Sequence, residues 1–122
     1  MAGIYKGDPD MKIAIPLVQG KLSQHFGHCE EFVLLEIETT GKTIASKSLH
    51  QPPAHEPGVL PRWLNQLGAD TIIAGGMGRR AQELFAENGI KVVVGAAAEE
   101  PEKLAHAYLQ NTLAVGENCC DH

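Results

Sequence analysis

Two short segments hold all three cysteines and three of the six histidines of this 122-residue chain. The first, His25-Phe26-Gly27-His28-Cys29, puts two imidazoles and a thiol within one turn of chain. The second, Glu117-Asn118-Cys119-Cys120-Asp121-His122, adds two thiols, a carboxylate and an imidazole. Thiolate and imidazole together suit soft and borderline metals, which makes His25, His28, Cys29, Cys119, Cys120 and His122 the candidate metal ligands. Adjacent cysteines close on one ion less comfortably than cysteines spaced two or more apart, but one of them with His122 forms a chelating arm. Ordering such an arm costs entropy that a metal's binding free energy is large enough to offset. If folding brings the two segments together, the chain binds a metal or a metal-sulfur cluster. The plainer alternatives are a loop anchored by Phe26 with imidazoles at the surface, and a solvated tail.

A third segment, Gly75-Gly76-Met77-Gly78-Arg79-Arg80, offers a different chemistry. It follows an apolar run and opens a helical pattern, the place where open α/β sheets receive ligands. Glycines let backbone N–H groups approach an anion, a helix amino terminus adds partial positive charge, and two arginines add full charge. The spacing is neither a dinucleotide fingerprint nor a P-loop. A tight strand-to-helix turn with solvated arginines is the alternative reading. His50 and His55 flank a proline loop and are weaker candidates, and His106 falls in the middle of a helical pattern.

These segments need a scaffold, and the chain's periodicity predicts one. Residues 1–10 are polar, with Gly7 and Pro9, and read as a flexible leader. Ile13 to Ile15 forms a strand expected to stop at Pro16, whose exit loop, Leu17 to Gln24, leads into the histidine segment. Phe32 to Ile37 and Thr43 to Leu49 form a hairpin around Thr39-Thr40-Gly41-Lys42. Prolines 52, 53 and 57 exclude regular structure between Gln51 and Pro57. Val59, Leu60, Trp63, Leu64 and Leu67 fall three and four apart and end at Gly68, the mark of an amphipathic helix. Thr71 to Ala74 is a buried strand, Arg79 to Asn88 a second helix capped by Gly89, Lys91 to Val94 another strand, and Glu102 to Gln110 a third helix behind Pro101. Strands alternating with helices in the second half require right-handed parallel crossovers, to which the hairpin adds an antiparallel strand.

Composition narrows the function. Hydrophobic residues make up 43% of the chain and charged residues 20%, enough apolar material for one packed core. Ten basic against fifteen acidic side chains give a net charge of -5, with no concentrated basic face, which argues against nucleic acid. No apolar run approaches the roughly 20 residues that span a bilayer, and the start lacks a signal-peptide pattern, so no membrane association and a cytoplasmic location are expected. Three cysteines, an odd count without scaffold spacing, suit free thiols in a reducing compartment. There is no Gly-x-Ser-x-Gly elbow, no His-Glu-x-x-His helix and no acidic quartet for two-metal nuclease chemistry, so a non-catalytic protein is expected.

Taken in order, Ser23-Gln24-His25-Phe26-Gly27 with Phe32, the turn Ala74 to Gly78, and Gly89-Ile90-Lys91-Val92 through Gly95 resemble the dinitrogenase iron-molybdenum cofactor biosynthesis family. This is the NifX-type and NifB carboxyl-terminal domain, whose stand-alone members include the orange protein. The resemblance covers residues 11–111, leaving 112–122 as a Cys/His-containing tail. It implies a three-layer α/β/α ribonuclease H-like fold with a five-stranded mixed sheet, order 3-2-1-4-5, strand 2 antiparallel. It also implies a carrier or scaffold for a molybdenum-containing sulfide cluster, iron-molybdenum or molybdenum-copper, or its precursor, with an iron-sulfur cluster as a further cargo. Ser23, His25, Phe26, Gly27, Gly75, Gly76, Met77, Gly78, Arg79 and Arg80 would receive such a cluster or a thiomolybdate-like anion, Met77 adding a soft thioether. The alternative is a regulatory or interaction module docking on a partner ATPase of iron-sulfur or metal-cluster assembly. The carrier reading places the His25 to Cys29 segment opposite Gly75 to Arg80 across the carboxyl ends of the first and fourth strands.

Overall fold

A computed structural model describes residues 11–23, 30–38, 43–53 and 58–113. The leader, the His25 to Cys29 segment, His55 and the Cys119 to His122 tail lie outside the described residues. In chain order the elements are β1 (Met11–Val18), β2 (Lys21–Leu22), β3 (Glu31–Glu38), β4 (Thr43–His50), α1 (Val59–Gln66), β5 (Thr71–Ile73), α2 (Arg79–Glu87), β6 (Lys91–Val93) and α3 (Pro101–Leu109).

One mixed sheet organises them. Its path runs β4-β3-β1-β5-β6, and β2 pairs with β1 off this path. The pairs β1–β3 and β3–β4 are antiparallel, whereas β1–β5 and β5–β6 are parallel. The sheet therefore has six strands rather than the expected five, and two local errors explain the difference. First, β1 continues through Pro16 to Val18. The Pro16 carbonyl accepts the Ser23 N–H at 2.8 Å, so its ring nitrogen also faces away from β3 and the missing donor leaves the β1–β3 ladder intact. Second, Gln19 and Gly20, at φ 54° and 82°, make a two-residue turn with both centres left-handed, the geometry that matches strand twist in a tight hairpin. That turn pairs Leu17 with Leu22 where a plain exit loop was expected.

Alternation along the strands sorts the core into two layers. Ala14, Phe32, Leu34 and Ile72 face α1 and α2, where Leu60, Leu64, Met77 and Phe85 complete one cluster. Ile13, Ile15, Val33, Leu35, Ile37 and Ile73 face α3 and its Leu104 and Ala105. Each fully buried side chain of this size contributes about 1.5–3 kcal/mol of transfer free energy. The three helices start within two residues of the positions expected from their apolar spacing, with α3 beginning at Pro101 itself because proline's fixed φ suits a first helical position. Among the described residues no helix is long and apolar enough to cross a membrane.

Candidate functional site

The parallel strands β1, β5 and β6 all end at one edge of the sheet. Beyond β5, the Ala74 N–H donates to the Val93 carbonyl at 2.8 Å, and Gly95 donates back to the Gly75 carbonyl at 2.8 Å. These bonds tie the exits of β5 and β6 together and fix the start of the glycine turn. Gly75 and Gly76 are buried and Gly78 is half-buried. Gly78 then caps α2 in an extended conformation, with no side-chain cap and no acidic residue in the first turn. A helix amino terminus carries partial positive charge, and within α2 no acidic residue of the first turn offsets it. Arg79 and Arg80 are both exposed at this position. Arg80 Nη1 lies 3.5 Å from Glu83 Oε1, one turn further on, with side chains 75% and 56% exposed. Such a pair is worth little and leaves the guanidinium able to turn toward an anion.

Met77, within the turn, lies in the core. It is 1% exposed and belongs to the core cluster with Phe32, Leu60 and Phe85. Its carbonyl accepts from Gln82 Nε2 at 2.9 Å, which anchors the turn to the helix it precedes. The thioether fills the core between sheet and helices, and the turn meets the surface through its backbone and its arginines.

The residues bounding the histidine segment lie at the same edge. Ser23 is buried and donates its backbone N–H to Pro16. Glu30 donates its own to the Leu17 carbonyl at 2.8 Å. Both ends of the segment are thus fastened to the last residues of β1, and β1 is the direct neighbour of β5 in the sheet. His25, Phe26, Gly27, His28 and Cys29 themselves, with Cys119, Cys120 and His122, lie outside the described residues. Among the described residues no three His, Cys, Asp or Glu side chains converge in a way that could hold a metal ion.

His50, a weaker candidate from sequence, closes this edge at the end of β4. Its Nε2 lies 2.9 Å from Ser48 Oγ, and its ring meets Trp63 edge-on at 6.4 Å. Trp63 in turn packs edge-to-face on Phe32 at 5.6 Å, an arrangement worth about 0.5–1.5 kcal/mol beyond burial. His106 is exposed on α3, the helix on the other face of the sheet from α2.

A mixed sheet covered by helices on both faces, with an anion-friendly turn where its parallel strands end, defines a small α/β binding domain. Comparison with known proteins makes the class specific. The chain belongs to the dinitrogenase iron-molybdenum cofactor family, matched over residues 10–111. A relative from Methanocaldococcus jannaschii, the uncharacterised protein MJ0580, is 36% identical over 87 residues, 67% of this chain and 72% of its own length. The crystal structure of PH0822 superposes with a TM-score of 0.80 at 31% identity, covering 88% of this chain and 96% of that one. The apo form of the orange protein from Desulfovibrio gigas gives a TM-score of 0.71 over 92% of this chain and 98% of that one. At 17% identity that last likeness is one of fold.

Proposed function

We propose that this protein is a non-catalytic carrier or scaffold that receives a molybdenum-containing sulfide cluster, or a precursor of one, at the carboxyl edge of its sheet. The observation that carries the reading is the α2 amino terminus. It follows a glycine turn, has no side-chain cap and no acidic residue in its first turn, and carries Arg79 and Arg80 at the surface. Thiomolybdate-type clusters are polyanions with sulfide edges, and backbone N–H groups and guanidinium forks can hold them without many covalent ligands. Membership of the iron-molybdenum cofactor family supports the class of cargo. The fastening of Ser23 and Glu30 to the end of β1 supports a contribution from His25, His28 and Cys29, because both anchors lie at the carboxyl end of β1, the strand next to β5. Cys119, Cys120 and His122 would add thiolate and imidazole donors in the same role.

Anaerobic reconstitution tests the reading. Protein incubated with tetrathiomolybdate and copper(I), or with iron and sulfide, and then freed of excess reagent should carry metal in stoichiometric amount and show sulfide-to-metal charge-transfer absorption. A colourless product with substoichiometric metal from both mixtures refutes it.

A second reading, a module that docks on an ATPase of cluster assembly, draws support from the outer edge of β4, with which no strand pairs among the described residues.

A further inference from the structure

β4 ends the strand order, and among the described residues no strand pairs with its outer side. The register decides which backbone groups face outward. Pro16 turns its carbonyl to Ser23, away from β3, so its partner Phe32, and two residues on Leu34, turn theirs toward β4. Opposite them on β4 stand His50 and Ser48, which complete that ladder. Lys47 and Leu49 therefore direct N–H and C=O outward.

Their side chains lie on the α3 face, beside Leu35 and Val33. Leu49 is 55% exposed, the one large apolar side chain so exposed among the described residues. It borders a cleft of about 350 Å³ that Leu17 and Pro101 floor and Glu31, Glu100 and Glu102 flank. Lys47 Nζ is bonded to Glu102 Oε2 at 2.7 Å, which matches one charge of each sign and leaves Glu31 and Glu100 to make the cleft acidic.

An open strand edge, an uncovered leucine and an acidic cleft form one continuous surface. We propose that the β4 edge receives an extended basic segment of a partner protein as an added strand. Lys47 and Leu49 hydrogen-bond its backbone, an apolar side chain of the segment covers Leu49, and its lysines or arginines meet Glu31 and Glu100. A second copy of this chain is the poorer occupant, since antiparallel pairing of β4 with itself brings two Lys47 side chains onto one short edge. β4 and the glycine turn after β5 are separated by β3 and β1, so the proposal stands independently of cluster binding.

Metal-free protein and two fluorescein-labelled synthetic peptides test it: Lys-Thr-Lys-Thr-Leu-Thr-Lys, whose lysines and leucine share one strand face, and its counterpart with glutamate at every lysine. The basic peptide is expected to bind about tenfold tighter or better by polarisation, and to slow amide exchange at Lys47 and Leu49. Leu49→Pro removes an outward N–H without touching the β3 ladder, and should weaken binding about tenfold. Should that variant not fold, the pair Glu31→Lys and Glu100→Lys decides, because it should reverse the preference between the peptides. Equal binding of the two peptides, no binding of either, a folded Leu49→Pro protein that binds undiminished, or an unreversed preference overturns the proposal. So does a dimer by sedimentation that protects the Lys47 and Leu49 amides without peptide, which would assign the edge to a second copy.

Discussion

Met77 separates a donor atom in the sequence from a donor atom at a site. It is 1% exposed within a cluster that includes Phe32, Leu60, Leu64 and Phe85. Met77→Ala removes everything beyond Cβ from that cluster. The lost transfer free energy is about 1.5–3 kcal/mol, and the residual void adds to it at about 24 cal/mol per Å³, for a total of about 2–5 kcal/mol. Met77→Leu keeps the volume and removes only the sulfur, at under about 1.5 kcal/mol. Urea denaturation followed by the fluorescence of Trp63, the chain's one tryptophan, measures both, because Trp63 packs on the same cluster. In domains of this size each kcal/mol moves the thermal midpoint by roughly 4 °C, so the alanine variant should melt about 8–20 °C below the parent. Anaerobic loading with tetrathiomolybdate and copper(I) then gives the functional arm. Met77→Leu should take up metal as the parent does. A leucine variant of unchanged stability that loads no metal would refute the core assignment and return the thioether to the ligand set.

Two further outcomes follow from charge. Replacing Arg79 and Arg80 together by glutamine should weaken tetrathiomolybdate retention about tenfold or more, since charge-assisted contacts at a helix amino terminus are removed. The midpoint in urea should move by less than about 1 kcal/mol, because the Arg80–Glu83 pair is exposed; a large loss of stability with intact retention would contradict the assignment. Glu102→Gln tests the clamp between β4 and α3. The hydrogen bond from Lys47 holds the Glu102 carboxyl below its ordinary range, so its contribution is present above the unfolded pKa and is lost as pH falls through the folded one. Both side chains are more than two-fifths exposed, which limits the effect to about 0.2–1 kcal/mol at pH 7. The difference between parent and variant should shrink as pH falls below the ordinary glutamate range, and a difference that grows on acidification would refute the linkage.

The parts of this fold legible in sequence are those whose signal is local. Val59, Leu60, Trp63, Leu64 and Leu67 repeat at helical spacing, and the chain turns at Gly68 after α1 and at Gly89 after α2, so most of the second half reads directly. Pro16 misleads because sequence records that its N–H is missing but not that the absent donor points away from β3. Lys21-Leu22 is too short to show alternation, and the available clue was Gly20 placed to close a two-residue turn. The site follows the same division. That Gly75 to Arg80 opens a helix at a strand's end is a local fact, read correctly from glycines followed by amphipathic spacing. That Met77 faces inward is a tertiary fact, set by how α2 lies on the sheet.

The β4 edge makes the division sharper. Each of its residues, Thr43 to His50, is unremarkable in sequence, and the strand alternates well enough to read as a plain hairpin partner. Its significance arises only when the topology leaves it at the end of the order and sets α3's Glu100 and Glu102 beside Leu49. A donor segment can be found by reading residue types, because metal chemistry is carried by side chains. An open strand edge cannot, because it is carried by backbone groups that every residue has, and only the fold decides which of them remain to be paired.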